Sequence, residues 1–302
     1  MKYALVQDSR IGGRRMNQDR IGQWSTPESL LMVVADGMGG HIDGEVAAQT
    51  TVDILGRSFQ NEARPRLAHP SAFLSRNIAA SHVAIVREAQ VRGLPEAPRT
   101  VVVACLVQDG HAYWAHTGDC RLYLFRKGRI HVRTKDHSVV QQLVDEGRIR
   151  EEAVSSHPQR NRLLQCLGGL HAPRIDVGTE RLAKDDVLLL CSDGLWGPLT
   201  QRQMLNAVLT QPLDEAVASL VALAEARAGR DCDNTSVVAM TWGEEMVRLE
   251  EDGPRTVPYE ELRTDVQDFT ATDLEFLRMT DEDVERAIAD IKAALRKNAP
   301  GS

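Results

Sequence analysis

No apolar run in this 302-residue chain approaches the roughly 18 residues that cross a bilayer. The opening Met1-Lys2-Tyr3 lacks the basic-then-apolar layout of a secretory leader, so no membrane role and a cytoplasmic setting are the expectation. No cysteine pair is spaced C-x-x-C. The five cysteines, Cys105, Cys120, Cys166, Cys191 and Cys232, are odd in number and widely spread, which argues against a disulfide framework and a structural zinc site. Cys105, Cys120 and Cys191 lie in or beside apolar runs and read as small core hydrophobes. Aromatic residues make up only 4% of the chain, and no basic cluster accompanies them, so nothing here marks a nucleic-acid surface. The sequences G-x-S-x-G, G-x-x-x-x-G-K-[ST] and H-E-x-x-H are also missing, and with them the usual serine-hydrolase, P-loop and zinc-protease signatures.

What is present is an ordinary globular composition, 42% hydrophobic and 26% charged. The length suits one large domain, or one domain with an appendage. The net charge of −7 is unevenly placed. Residues 245–302 hold 15 acidic and 8 basic residues, leaving 28 of each sign in the rest. The acidity belongs to the tail.

Short runs such as Leu31 to Ala35, Val101 to Val107 and Val187 to Cys191 read as buried strands. Tyr113 to His116, Leu122 to Phe125 and Ile130 to Val132 follow closely, with Gly118-Asp119 and Lys127-Gly128 as turns, and predict a meander of antiparallel hairpins. Helical spacing appears over about 43–59, 71–90 and 213–224. Strands and helix pairs are segregated, which favours an α+β fold over a parallel sheet. The last strand pattern stops at Trp242-Gly243, and the division expected is residues 1–243 as the main domain and 244–302 as an acidic linker and helical extension. In that extension Val284, Ile288, Ile291 and Leu295 form an apolar stripe, which must dock on its own domain or on a partner.

Three aspartates stand where a strand pattern meets a turn: Asp36, Asp193 and Asp233. An Asp-Gly pair is usually just a turn. Several carboxylates held at the mouths of rigid strands, however, repel one another unless cations neutralise them, and all-oxygen ligands select Mg²⁺ or Mn²⁺ over zinc.

Six segments occur in order: Arg14-Arg-Met-Asn-Gln-Asp19, Val34-Ala-Asp-Gly-Met-Gly-Gly-His41, Ala115-His-Thr-Gly-Asp-Cys-Arg-Leu-Tyr123, Thr134-Lys-Asp-His-Ser138, Cys191-Ser-Asp-Gly-Leu-Trp196 and Asp233-Asn-Thr-Ser-Val237. Together they resemble the metal-dependent serine/threonine protein phosphatases of type 2C, in their bacterial branch, from Lys2 to about Trp242. The resemblance implies two antiparallel β-sheets packed as a sandwich and flanked by helix pairs, with a two-metal site at one end. It implies hydrolysis of phosphoserine and phosphothreonine by a water activated between two Mn²⁺ or Mg²⁺ ions. The implied partners are phosphorylated proteins and a Ser/Thr kinase whose action is opposed.

By the same resemblance Asp36 bridges both ions and the Gly37 carbonyl binds one. Asp193 and Asp233 hold the first ion, Asp19 serves the second, and Asp119 with Asp193 forms a third, weaker site. Arg14 grips the phosphate, a task its planar fork suits better than lysine.

The chain departs from the family pattern in places. Gln18 stands where many relatives have Glu, and Met38 where eukaryotic relatives carry a His proposed as general acid, which leaves His41 or a water for that role. Cys120 replaces a serine and Thr100-Val101 a pair of threonines, changes expected to affect packing. His116 and His137 read as structural. Residues 136–167 resemble a variable flap and read as an exposed loop whose Arg160 and Arg162 could meet phosphopeptide. Two alternatives carry different predictions. A binding module that kept the fold but lost turnover would be expected to lack one of these aspartates. An inhibitory tail would be revealed by truncation.

Overall fold

A computed structural model of the chain describes residues 1–38, 43–154 and 157–243. His41 and the whole of the 244–302 extension, with its apolar stripe, lie outside the described residues.

The described elements run β1 (Tyr3–Arg10), β2 (Asp19–Ser25), β3 (Ser29–Gly37), α1 (Gly44–Glu62), α2 (Pro70–Val91), β4 (Thr100–Gln108), β5 (His111–Thr117), β6 (Arg121–Arg126), β7 (Arg129–Arg133), α3 (Val139–Asp145), β8 (Asp176–Arg181), β9 (Val187–Cys191), α4 (Asp193–Trp196), α5 (Gln201–Thr210), α6 (Leu213–Ala228) and β10 (Thr235–Trp242). The strands form two five-stranded sheets, ordered β1-β10-β9-β6-β7 and β2-β3-β4-β5-β8, and every pairing is antiparallel.

Alternation along each inner strand explains the layering. In β3, Leu30, Met32 and Val34 enter the core between the sheets with Leu188, Leu190, Val238 and Met240. Leu31, Val33 and Ala35 face the other way, onto Ala48, Val52, Leu55 and Phe59 of α1 and Leu74 and Ile78 of α2. Behind the β1-β10-β9-β6-β7 sheet, Leu189, Cys191 and Ala239 pack on Val217, Leu220 and Ala224 of α6. A strand covered on both faces needs apolar residues at every position, which is why β3, β4 and β9 read as unbroken hydrophobic runs. Each fully buried Leu or Val contributes about 1.5–3 kcal/mol.

The expected meander is corrected. β4-β5 and β6-β7 are hairpins, but β5 and β6 lie in different sheets. Gly118 sits at φ +96, where its missing Cβ also makes room for the Val101 side chain, so the chain crosses between the sheets there instead of folding back. The flap expectation is also revised. Residues 136–167 include helix α3, capped by the Ser138 hydroxyl accepting from the Gln141 N–H, and Asp136, His137 and Ser138 are buried.

Candidate metal centre

The crossover, the ends of β3 and β9 and the start of β10 all lie at one end of the sandwich. Asp19 opens β2 directly opposite Asp36 in β3. Asp193 starts the single turn α4 just after β9, and Asp233 immediately precedes the Asn234 that leads into β10. Asp119 follows Gly118 in the crossover. Asp19 and Asp119 are buried; Asp36 and Asp193 are half-buried, while Asp233 is 42% exposed.

These carboxylates lie near enough for each to feel the charge of others. Asp36 is held well above the usual carboxylate range by loss of solvent, and further by the charges of Asp19, Asp193, Asp119 and Asp233. Burial pushes Asp193 up to about 7, with Asp233 and Asp19 adding to the shift. Asp19 rises to about 6 for the same first reason, opposed by hydrogen bonds from Ser192 and Ser236. Asp119 is raised well above its ordinary value by burial and then by Asp193 and Asp136, with Arg121 opposing.

The Ser192 hydroxyl donates to Asp19 Oδ2 at 2.7 Å and accepts the Ser236 N–H at 3.0 Å. Asp19 Oδ1, buried as well, has no hydrogen-bond partner. An orphaned carboxylate oxygen among mutually repelling carboxylates is a donor set that fits hard divalent cations. Asp36 has its backbone carbonyl tied by the Thr100 hydroxyl at 2.7 Å. Gly37 lies where any Cβ would strike the Gly44 carbonyl at the start of α1.

Asp119 and Asp193 are linked through a buried stack. Trp196, on the same turn as Asp193, donates Nε1–H to the Asp119 carbonyl at 2.9 Å. The Arg121 guanidinium lies 3.5 Å over the Trp196 ring and grips Asp136 with two bonds, at 2.8 and 2.7 Å.

Arg14 reaches the cluster by an unexpected route. It forks onto Asp233, with Nε donating to Oδ1 at 2.9 Å and Nη2 to Oδ2 at 2.7 Å. Gln18, standing where a carboxylate was expected, turns to Glu45 at 3.1 Å. Sequence reasoning missed two residues that build the site. One is Ser192; the other is Asn234, whose Nδ2 donates to the Ile11 and Met16 carbonyls while its Oδ1 accepts the Gln18 N–H. Both sit inside quoted motifs, but a hydroxyl and an amide beside an aspartate carry no signal of their own.

His116 and His137 stack with ring centroids 4.9 Å apart, and with Asp176 their ligand atoms lie within 4.8 Å of one another. Neighbours engage one nitrogen of each ring, and His116 Nδ1 and His137 Nε2 are buried without a hydrogen-bond partner. His116 Nε2 contacts the Lys135 carbonyl at 2.9 Å, His137 Nδ1 accepts the Gly118 N–H at 3.3 Å, and Arg174 forks onto both Asp176 oxygens. His137 Nε2 faces Asp176 Oδ2 at 3.3 Å. The stacked pair sits behind the crossover, and its place is compatible with either a structural role or a ligand set with Asp176.

Residues 6–227 match the family model described as protein phosphatase 2C. The chain is 31% identical over 250 residues to the protein phosphatase PhpP of Streptococcus pneumoniae, covering 80% of this chain and 98% of that protein. It is 36% identical over 238 residues to the serine/threonine protein phosphatase PstP of Mycobacterium tuberculosis, covering 79% of this chain but 44% of PstP. A crystal structure of the PstP catalytic domain in complex with two manganese ions superposes with a TM-score of 0.68 at 31% identity, over 79% of this chain and 97% of that one. No helix among the described residues is long and apolar enough to cross a membrane.

Proposed function

The chain belongs to the protein phosphatase 2C family, and on that premise we propose that it removes phosphate from phosphoserine and phosphothreonine in proteins, opposing a Ser/Thr kinase. The observation that carries this reading is the gathering of Asp19, Asp36, Asp119 and Asp193, buried or half-buried and raising one another's affinity for protons, beside the more exposed Asp233, with one buried Asp19 oxygen left unpartnered. Asp36, the Gly37 carbonyl, Asp193 and Asp233 would hold one pair of Mn²⁺ or Mg²⁺ ions together with Asp19, and Asp119 with Asp193 a third. Such ions supply a nucleophile at neutral pH and stabilise charge on the attacking and leaving oxygens of an in-line displacement.

The chain's own residues do the rest. Asp36 and Asp193, fixed by the ends of β3 and β9, hold their carboxylates partly out of water, where charge acts more strongly on a cation than in bulk solvent. Asp19, with Oδ2 committed to Ser192, offers Oδ1 alone. Arg14 binds the phosphate through its planar fork, which matches two phosphate oxygens. Met38 has no proton to give the leaving oxygen, and the proposed alternative, His41, remains the candidate acid beside water.

The test is phosphate release from a phosphothreonine peptide with Mn²⁺, Mg²⁺ or EDTA, with Asp193→Ala as control. Metal-dependent turnover that collapses in the variant is expected. Absence of turnover in a folded, metal-binding protein would overturn the reading.

A further inference from the structure

Arg14 and Asp233 are 219 residues apart in the chain, yet the backbone around them is locked together. Gly13 N–H donates to the Cys232 carbonyl at 3.0 Å, and Asn234 bonds to Ile11, Met16 and Gln18. What the locking leaves adjustable is the Arg14 side chain, 53% exposed. Its fork engages both Asp233 oxygens, and Oδ1 accepts the Asn234 N–H at 2.8 Å as well. Asp233 Oδ1 therefore already has two donors, the number its lone pairs can serve. A positive guanidinium stands beside the carboxylate, within the fields of Asp193 and Asp36.

We propose that Arg14 and a divalent cation compete for Asp233, so that cation binding at Asp233 and phosphate binding by Arg14 promote each other. This rests on the metal-dependent reading above and adds a coupling to it. A cation approaching Asp233 meets a like charge at contact distance, with Oδ1 fully engaged and Oδ2 holding the Arg14 Nη2 donor. Turning Arg14 away removes both obstacles and presents its Nε and Nη2 donors to a phosphate. By linkage the effect is reciprocal: phosphate that draws Arg14 off Asp233 raises cation affinity by the same factor that the cation raises phosphate affinity. Simple charge attraction between phosphate and cation also couples the two, so the fork must be separated from the charge. Lysine does this, since it keeps the positive charge but cannot bind bidentately.

The experiment is calorimetric titration of the full chain with Mn²⁺, with and without inorganic phosphate, for the wild type, Arg14→Lys and Asp193→Asn. Without phosphate, Arg14→Lys should tighten Mn²⁺ binding by about twofold, since the charge stays and only the bidentate part of an exposed pair is lost. In the same variant the tightening that phosphate produces in the wild type should shrink. An unchanged or weakened Mn²⁺ isotherm in Arg14→Lys overturns the competition, as does a wild type whose Mn²⁺ affinity ignores phosphate. Failure of the underlying reading looks different: the wild type binds no Mn²⁺, or Asp193→Asn binds it as the wild type does.

Discussion

The strands β3 and β4 run side by side through the core and finish in opposite chemistry. At one end Ser29 pairs across from Gln108, whose Oε1 accepts from the Ser29 hydroxyl and the Leu67 N–H, both at 2.8 Å, while Nε2 donates to the Leu67 carbonyl at 2.9 Å. At the other end Asp36 faces Asp19, Asp193 and Asp119, and burial together with their charges holds its carboxyl well above the usual range. The same apolar middle separates them. The Gln108 end is complete within the chain; the Asp36 end gathers five carboxylates that Arg14 and Arg121 offset only in part. Stability and function are thus placed at opposite ends of the same two strands.

The largest expected effect tests the carboxylate end. Asp36→Asn should lower metal-dependent phosphate release by on the order of 10³-fold or more. In EDTA it should instead raise unfolding stability by about 1–3 kcal/mol, read as a higher melting temperature, because one buried, repelling carboxyl is gone. Loss of both activity and stability would break the comparison, since it would make the carboxylates structural. Gln108→Leu is the converse. Stranding the Leu67 N–H and carbonyl should cost about 2–4 kcal/mol in urea unfolding, with kcat per folded molecule unchanged. A fallen kcat there would mean the two ends communicate.

A smaller effect follows from pH. Asp19 and Asp193 have folded pKa values raised to about 6 and about 7 from an ordinary 3.8. Between pH 4 and pH 7 the unfolded chain gives up these protons more readily than the folded one, so stability in EDTA falls as pH rises through that window. A melting point lower by roughly 5 °C at pH 8 than at pH 5 is expected, and saturating Mn²⁺ should remove the slope. A flat profile in EDTA would show that the carboxylates are relieved by groups within the chain.

How much of this could be read from residues alone differs between the ends. β3, β4 and β9 announced themselves because both faces are covered, and the motifs around Asp36, Asp193 and Asp233 marked where they end. The half-exposed strand β8, Asp-Val-Gly-Thr-Glu-Arg, gave no such signal: an edge strand with the exposed Val177 on one face lacks the apolar run that identifies a buried one. The crossover at Gly118 looked like a hairpin turn, since the sign of one φ angle is invisible in a Gly-Asp pair. Arg14 and Asp233 were both named as site residues, but their pairing spans the chain and depends on Asn234 joining two loops. Local spacing finds residues; contacts across 219 positions come only from the fold.

The smallest effect runs opposite in sign to the carboxylates and so sharpens the contrast. His82 on α2 is buried, its Nδ1 accepting the Gly168 N–H at 3.2 Å, and burial alone lowers its pKa to about 4. A depressed histidine contributes fully above the unfolded value of 6.5 and loses that contribution as pH falls toward 4, because the unfolded chain takes up the proton first. At pH 5.5 the loss is about 1 kcal/mol. With Mn²⁺ bound and the carboxylate slope suppressed, acidification from pH 7 to 5.5 should therefore destabilise the protein, whereas in EDTA the carboxylates, acting in the opposite direction, should outweigh it. His82→Gln keeps an acceptor for Gly168 while removing the titration, and should flatten the acid limb of the Mn²⁺-loaded melting curve without altering the slope that Asp19 and Asp193 produce in EDTA. A variant that changed both slopes would place His82 and the carboxylates in one electrostatic unit, against the physical separation of the two regions.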